Sequence, residues 1–257
     1  MSSLRSIGKW SLILVLSVLF LVTALWIIAR IVYPTAAQRQ AVTEMESWPD
    51  YEGENAFALL WTLNHAVPDD RLEAVMVEDV RNLAPQPPDS SENVSVVPTS
   101  YDHPSAADAY THLTPDEEDQ KLFCRLLEPG CLARVREDPV RYASLIERNA
   151  ALLDRVDNLQ NFGFIRSEFP YSIWSPMPNL SGAGFLRTRH AVQFAQGQRW
   201  QAVAATCREV VTWRRLGSRS DSLIFRMFGD AIASRENGQM LADMLAEMPV
   251  DQPLPEI

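Results

Sequence analysis

The imidazole and thiol side chains, which ligate zinc-class metals or move a proton near neutral pH, are few in this 257-residue chain. They comprise four histidines, His65, His103, His112 and His190, and three cysteines, Cys124, Cys131 and Cys207. His103 and His112 flank Asp108, and with Glu117 they offer the nitrogen and oxygen donors of a zinc-class site. The spacing argues against one: a nine-residue interval does not put two histidines on one helical face, and Pro104 breaks any helix starting earlier. No metal centre and no cofactor is therefore expected. There is no C-x-x-C, H-E-x-x-H, G-x-S-x-G, Walker loop or G-x-G-x-x-G. Ser181-Gly182-Ala183-Gly184 could hold an anion on its amides, but such a stretch ordinarily starts a helix. A hydrolase could use two carboxylates, yet among 33 acidic residues the sequence picks no pair. No catalytic residue is assigned, and a non-enzymatic role is expected.

Two other groupings carry chemistry of a different kind. Cys124 and Cys131 flank six residues that include Glu128-Pro129-Gly130, a turn signal that brings the two ends together. In an oxidising compartment that pair is a natural disulfide, leaving Cys207 as an unpaired core residue. Between Asn161 and Asn179, Phe162, Phe164, Ile165, Phe169, Tyr171, Ile173, Trp174 and Met177 are interleaved with Pro170, Pro176 and Pro178. So many apolar side chains either fold back over the helices as a packed loop or present a surface to a partner. On the second reading Phe164, Arg166, Tyr171 and Trp174 are the partner-binding residues, because aromatic and arginine side chains dominate binding hot spots.

The elements that position these groups begin with an apolar run. Trp10 to Ala29 holds twenty uncharged residues, of which only Ser11, Ser17 and Thr23 are not hydrophobic. As a helix it would rise to roughly 30 Å, the hydrocarbon thickness of a bilayer. That exceeds the apolar stretch of about 7 to 15 residues in a cleavable signal peptide. Trp10, Trp26 and Tyr33 sit towards its ends, where amphipathic rings favour the headgroups. Arg5, Lys9 and the terminal amine lie on one side and Arg30 and Arg39 on the other, a narrow balance that places the amino terminus inside. The expected plan is a cytoplasmic tail over 1–9, an inner-membrane anchor over 10–32 and a periplasmic domain over 33–257.

That domain is expected to be all-α, an irregular bundle with helical hairpins. Leu72, Val75, Met76, Val80 and Leu83 form one amphipathic stripe. Thr114-Pro115-Asp116-Glu117-Glu118 predicts a helix start, with a capping hydroxyl, proline at the first position and acids on the positive dipole end. Asp138-Pro139 opens another helix, whose face from Tyr142 through Leu145, Ile146, Leu152, Leu153 and Val156 to Leu159 predicts one continuous element. Further helices are predicted at 54–66, 180–196, 199–216, 221–237 and 239–247, ended by Gly197, Gly217 and Gly238. No stretch alternates like a strand, so a substantial sheet is not expected. The proline-rich stretch 84–104 cannot be helical and is expected as a loop.

Gly197-Gln198-Arg199-Trp200-Gln201-Ala202 resembles the inter-helix turn of a tetratricopeptide-type repeat. The resemblance covers one repeat and implies a local antiparallel helix pair with Trp200 and Ala202 in its seam.

The formal net charge is -10. Nucleic-acid binding is a poor match, since it needs a cationic footprint. Residues 31–138 carry 7 Lys and Arg against 21 Asp and Glu, whereas 139–257 carry 13 against 12. The acids cluster at Glu44 to Glu54, Asp69 to Asp79 and Asp116 to Asp119. They form either a solvated surface or one that steers a basic protein partner. The expectation is a membrane-anchored periplasmic protein-binding module, such as an immunity protein that neutralises an envelope-directed toxin. A cell-envelope hydrolase and a non-catalytic envelope-assembly scaffold are the alternatives.

Overall fold

The computed structural model describes residues 14–27, 35–37, 39–40, 49–83, 104–125, 128–169 and 176–249. The tail 1–9, the ends of the 10–32 run, nearly all of the proline-rich stretch, His103, Tyr171 and Trp174 lie outside them. The chain divides into two units, Met1–Asp50 and Tyr51–Ile257. In the first, residues 14–27 are helical, and Thr23 turns its hydroxyl back onto the Leu19 carbonyl at 2.7 Å, which satisfies that donor within the helix. Among the described residues no helix is long and apolar enough to cross a membrane.

The second unit is mostly helical, as the periodicity predicts. In order it holds β1 (Glu54–Asn55), α1 (Phe57–Trp61), α2 (Leu72–Leu83), α3 (Glu117–Leu122), α4 (Cys131–Glu137), α5 (Pro139–Arg148), α6 (Ala150–Asn158), β2 (Phe162–Phe164), α7 (Leu186–Ala195), α8 (Arg199–Ser218), α9 (Leu223–Asp230), a π-helical turn (Ala231–Asn237) and α10 (Gly238–Ala246). The 20-residue α8 is the organising element, packed against α7, α9, the π turn and α10. Trp213 on its inner face is fully buried, as are Phe194 of α7 and Phe225 of α9. Phe57 of α1 meets Phe225 edge to face at 6.2 Å and Phe169 at 6.1 Å, which joins the early and late segments in one core.

Local chemistry explains where the helices begin. Asp138 accepts the Arg141 amide and Pro139 opens α5, as expected. α3 starts two residues later than its hydroxyl signal suggested, because the Asp116 carboxylate caps Asp119 and leaves Thr114 outside. The continuous helix predicted from Pro139 to Leu159 is two helices. The break is at Asn149, whose side chain donates to the Leu145 carbonyl at 2.9 Å and to Asp119 at 2.8 Å. Gly197, at φ +87°, ends a helical pair as predicted. Gly217 does not end α8; a Cβ there would lie 3.3 Å from the Gly229 Cα, so the pair sets how closely α8 and α9 approach.

Strand structure is minimal. β1 and β2 pair in parallel, Glu54 with Phe162 and Asn55 with Phe164. A Cβ on Gly163 would fall 2.0 Å from the Glu52 carbonyl oxygen, so this pairing requires glycine. On its other side the segment continues into a bridge between Ile165 and Ser220. The described part of the aromatic stretch is thus a packed connection, with Ile165 and Phe169 buried.

Candidate functional site

A groove of about 600 Å³ opens between the start of α2, the β1–α1 corner and the end of α6. Its floor is apolar: Leu59, Leu72, Met76 and Phe162 reach it, and Val77 stands at its edge, 52% exposed. Four carboxylates, Glu54, Asp69, Glu73 and Glu168, line it, and no lysine, arginine or histidine is among the described residues that do. The amphipathic stripe of α2 accounts for this composition, because Leu72 and Met76 point inward while Glu73 and Val77, one residue on, turn to solvent. Asn55 fixes the far wall. Its side-chain amide donates to Glu168 Oε1 at 2.7 Å and to the Arg166 carbonyl at 2.8 Å, and its oxygen accepts the Arg166 amide at 2.9 Å. An apolar floor ringed by acids takes a ligand with an aliphatic body and cationic ends, such as lysine- or arginine-bearing peptide.

Of the residues expected to bind a partner, Phe164 and Arg166 stand beside this groove rather than in it, and Tyr171 and Trp174 lie outside the described residues. Phe164 is half-buried, its carbonyl accepting the Ala56 amide at 2.9 Å and its ring 6.2 Å from that of Tyr51. Arg166 is exposed, its backbone clamped by Asn55. Glu54, Asp69 and Glu73 belong to acidic clusters visible in sequence and Glu168 does not, and nothing there indicated that the four share one wall.

A second grouping lies at the opposite end of α1. His65 and His112 pair in an isolated antiparallel bridge, their rings 4.2 Å apart at a 50° tilt. Asp108 Oδ1 approaches His65 Nε2 at 3.3 Å. Burial, together with the neighbouring His112, lowers the pKa of His65, while Asp108 opposes the shift. Glu117, the fourth residue considered from sequence, is not part of this cluster and pairs with Lys121 at 2.6 Å. The expectation of no metal ligands weighed only residues close in sequence and missed His65, which β-bridging brings in from more than forty residues away.

Comparison with protein-family models, with curated proteins and with solved structures finds no match to this chain. Function therefore rests on the geometry.

The Cys124–Cys131 pair stands at disulfide distance, Cα atoms 5.5 Å apart, on the Pro129-Gly130 turn that the sequence marked, with Gly130 at φ +79°. Cys207 is free and half-buried, and burial pushes its thiol pKa up, away from reactivity. Deeper in the helical part, Arg187, His190, Glu209 and Glu236 are each at most 5% exposed. His190 Nε2 faces Glu209 Oε2 at 3.1 Å, and Arg187 Nη1 faces Glu236 Oε2 at 3.5 Å. Burial, with the like charge of Glu209, pushes Glu236 up to about 7 against the counter-effect of Arg187. This network is enclosed by α7, α8 and the π turn and organises the core.

Proposed function

We propose that this chain is an envelope protein, anchored in the inner membrane through residues 10–32, whose periplasmic unit binds a basic protein partner in the acidic groove. The groove carries the reading: four carboxylates around an apolar floor, with no compensating cation on its described lining. Opposite charge on the partner accelerates encounter and fixes register, and aliphatic burial on the floor supplies affinity. The Cys124–Cys131 pair suits an oxidising compartment. The apolar side chains along residues 14–27 are exposed, among them Phe20 at 77%, a surface suited to lipid. An immunity protein against a basic envelope-directed toxin is the concrete form of this proposal.

A photo-crosslinking residue at Val77, in the full chain in its native membrane, tests it. The expected result is one predominant basic envelope protein captured, weakened at least tenfold by Glu73→Lys with Glu168→Lys, since reversing two charges reverses the local potential. Equal capture by the reversed variant, or no capture at all, overturns the proposal. For the topology, an alkaline phosphatase fused at the carboxyl end is expected to be active, and an inactive fusion reverses the orientation.

A further inference from the structure

We propose that His65, Asp108 and His112 form a binding site for a zinc-class divalent transition metal. One donor atom from each residue lies within 4.8 Å of the other two. Metal–ligand bonds of about 2 Å separate neighbouring ligand atoms by roughly 3 to 4 Å, so a small inward movement of two surface side chains completes the set. Both His112 and Asp108 are exposed and free to make it, whereas His65 is largely enclosed.

The backbone holds this geometry. The Ala66 amide donates to the Thr111 carbonyl and the Leu113 amide to the Asn64 carbonyl, each at 2.8 Å, so the two histidine segments are locked side by side. Asp108 sits in a short 3-10 turn, Ala106–Ala109, where its Oδ2 accepts the Ser105 amide at 2.9 Å and leaves Oδ1 facing His65. That turn is fixed in its own right. The buried Asp79 carboxylate of α2 accepts the Ser105 hydroxyl, the Ala106 amide at 2.6 Å and the Trp61 indole at 2.6 Å. A carboxylate oriented by backbone and a hydrogen-bonded support behind it are what hold ligands in place around an ion.

The ligands themselves call for a cation. His65 Nδ1 has no hydrogen-bond partner and Nε2 has only the 3.3 Å approach of Asp108 Oδ1, although the side chain is only 13% exposed. The Arg155 guanidinium, whose charge acts on His65, is committed to the Val67 carbonyl and to both oxygens of Thr62. Two imidazoles and one carboxylate match a borderline ion such as Zn²⁺, not Mg²⁺ or Ca²⁺, which take oxygen donors. Three protein ligands leave a coordination position to water, and the ion enters from solvent without opening the fold. The site does not depend on the groove being a partner surface.

The test is calorimetric titration of the tag-free full chain in detergent with zinc chloride after chelator treatment. We expect one Zn²⁺ per chain, no competition from excess Mg²⁺ and a higher thermal midpoint with zinc. His65→Gln and His112→Gln should each weaken binding at least tenfold, while Glu117→Gln leaves it unchanged. If His65→Gln fails to fold, His112→Gln combined with Asp108→Asn on the surface decides. Absence of saturable zinc binding, or binding that this double variant retains in full, overturns the proposal.

Discussion

The two halves of the folded unit treat charge in opposite ways. Around the groove, Glu54, Asp69, Glu73 and Glu168 stay in water beside an apolar floor; the first three come from the acidic stretch 31–138 and Glu168 joins them from 139–257. Around α7, α8 and the π turn, Arg187, His190, Glu209 and Glu236 lie inside. The near-balance of 139–257 therefore reflects, in part, charges paired in the interior as well as charges on the outside. A carboxylate in the first setting costs the fold little and is available to a partner. In the second, desolvation governs it, as the rise of Glu236 to about 7 illustrates. The π turn makes this possible: its wide coil buries Ile232, Ala233, Glu236 and Asn237 together.

Removing the buried cation tests this contrast most severely. Arg187→Met removes the cation that faces Glu236, and at pH 8 should cost about 3 to 5 kcal/mol, read by urea denaturation. A cost below about 1 kcal/mol would show that water reaches the network. Asp79, like Asp119, runs against this contrast in the acidic half, a buried carboxylate with every partner in place. Asp79→Ala strands three donors and should cost about 3 kcal/mol in the same assay, together with loss of order in the Ser105–Ala109 turn.

Glu236 sharpens the comparison through pH. Its folded-state pKa lies above the ordinary 4.5, so the native state holds the proton more tightly than the unfolded chain. Its contribution is fully present below about 4.5 and is lost as pH rises through about 7. Glu236→Gln should flatten the fall in thermal midpoint between pH 5 and pH 8. At the weak end, Glu117 pairs with Lys121 one turn away on an exposed face. Glu117→Ala should change stability by only about 0.3 kcal/mol.

What the sequence disclosed follows from how local each signal is. The disulfide needs only a turn between two nearby cysteines, and the helical character needs only periodicity, so both were legible. Breaking 139–159 at Asn149 required Asp119, which comes from another helix. Gly217 reads as a stop in sequence because its actual task, admitting α9, involves a second glycine twelve residues on. Three acids of the groove, Glu54, Asp69 and Glu73, were visible in clusters, yet their common wall with Glu168 depends on β1–β2 pairing too short to leave an alternating pattern. His65 reaches Asp108 and His112 through one isolated bridge, which has no sequence signature at all.

The short covalent ring at Cys124–Cys131 reaches further than its eight residues. The Cys124 amide donates to Thr188 Oγ1 at 2.9 Å, and the neighbouring Arg125 carbonyl receives the guanidinium of Arg187. Closing this ring thus ties down the carbonyl on which one cation of the enclosed network rests. With both thiols free, that acceptor would be tethered beside the network through the Thr188 contact and no longer through a covalent bridge.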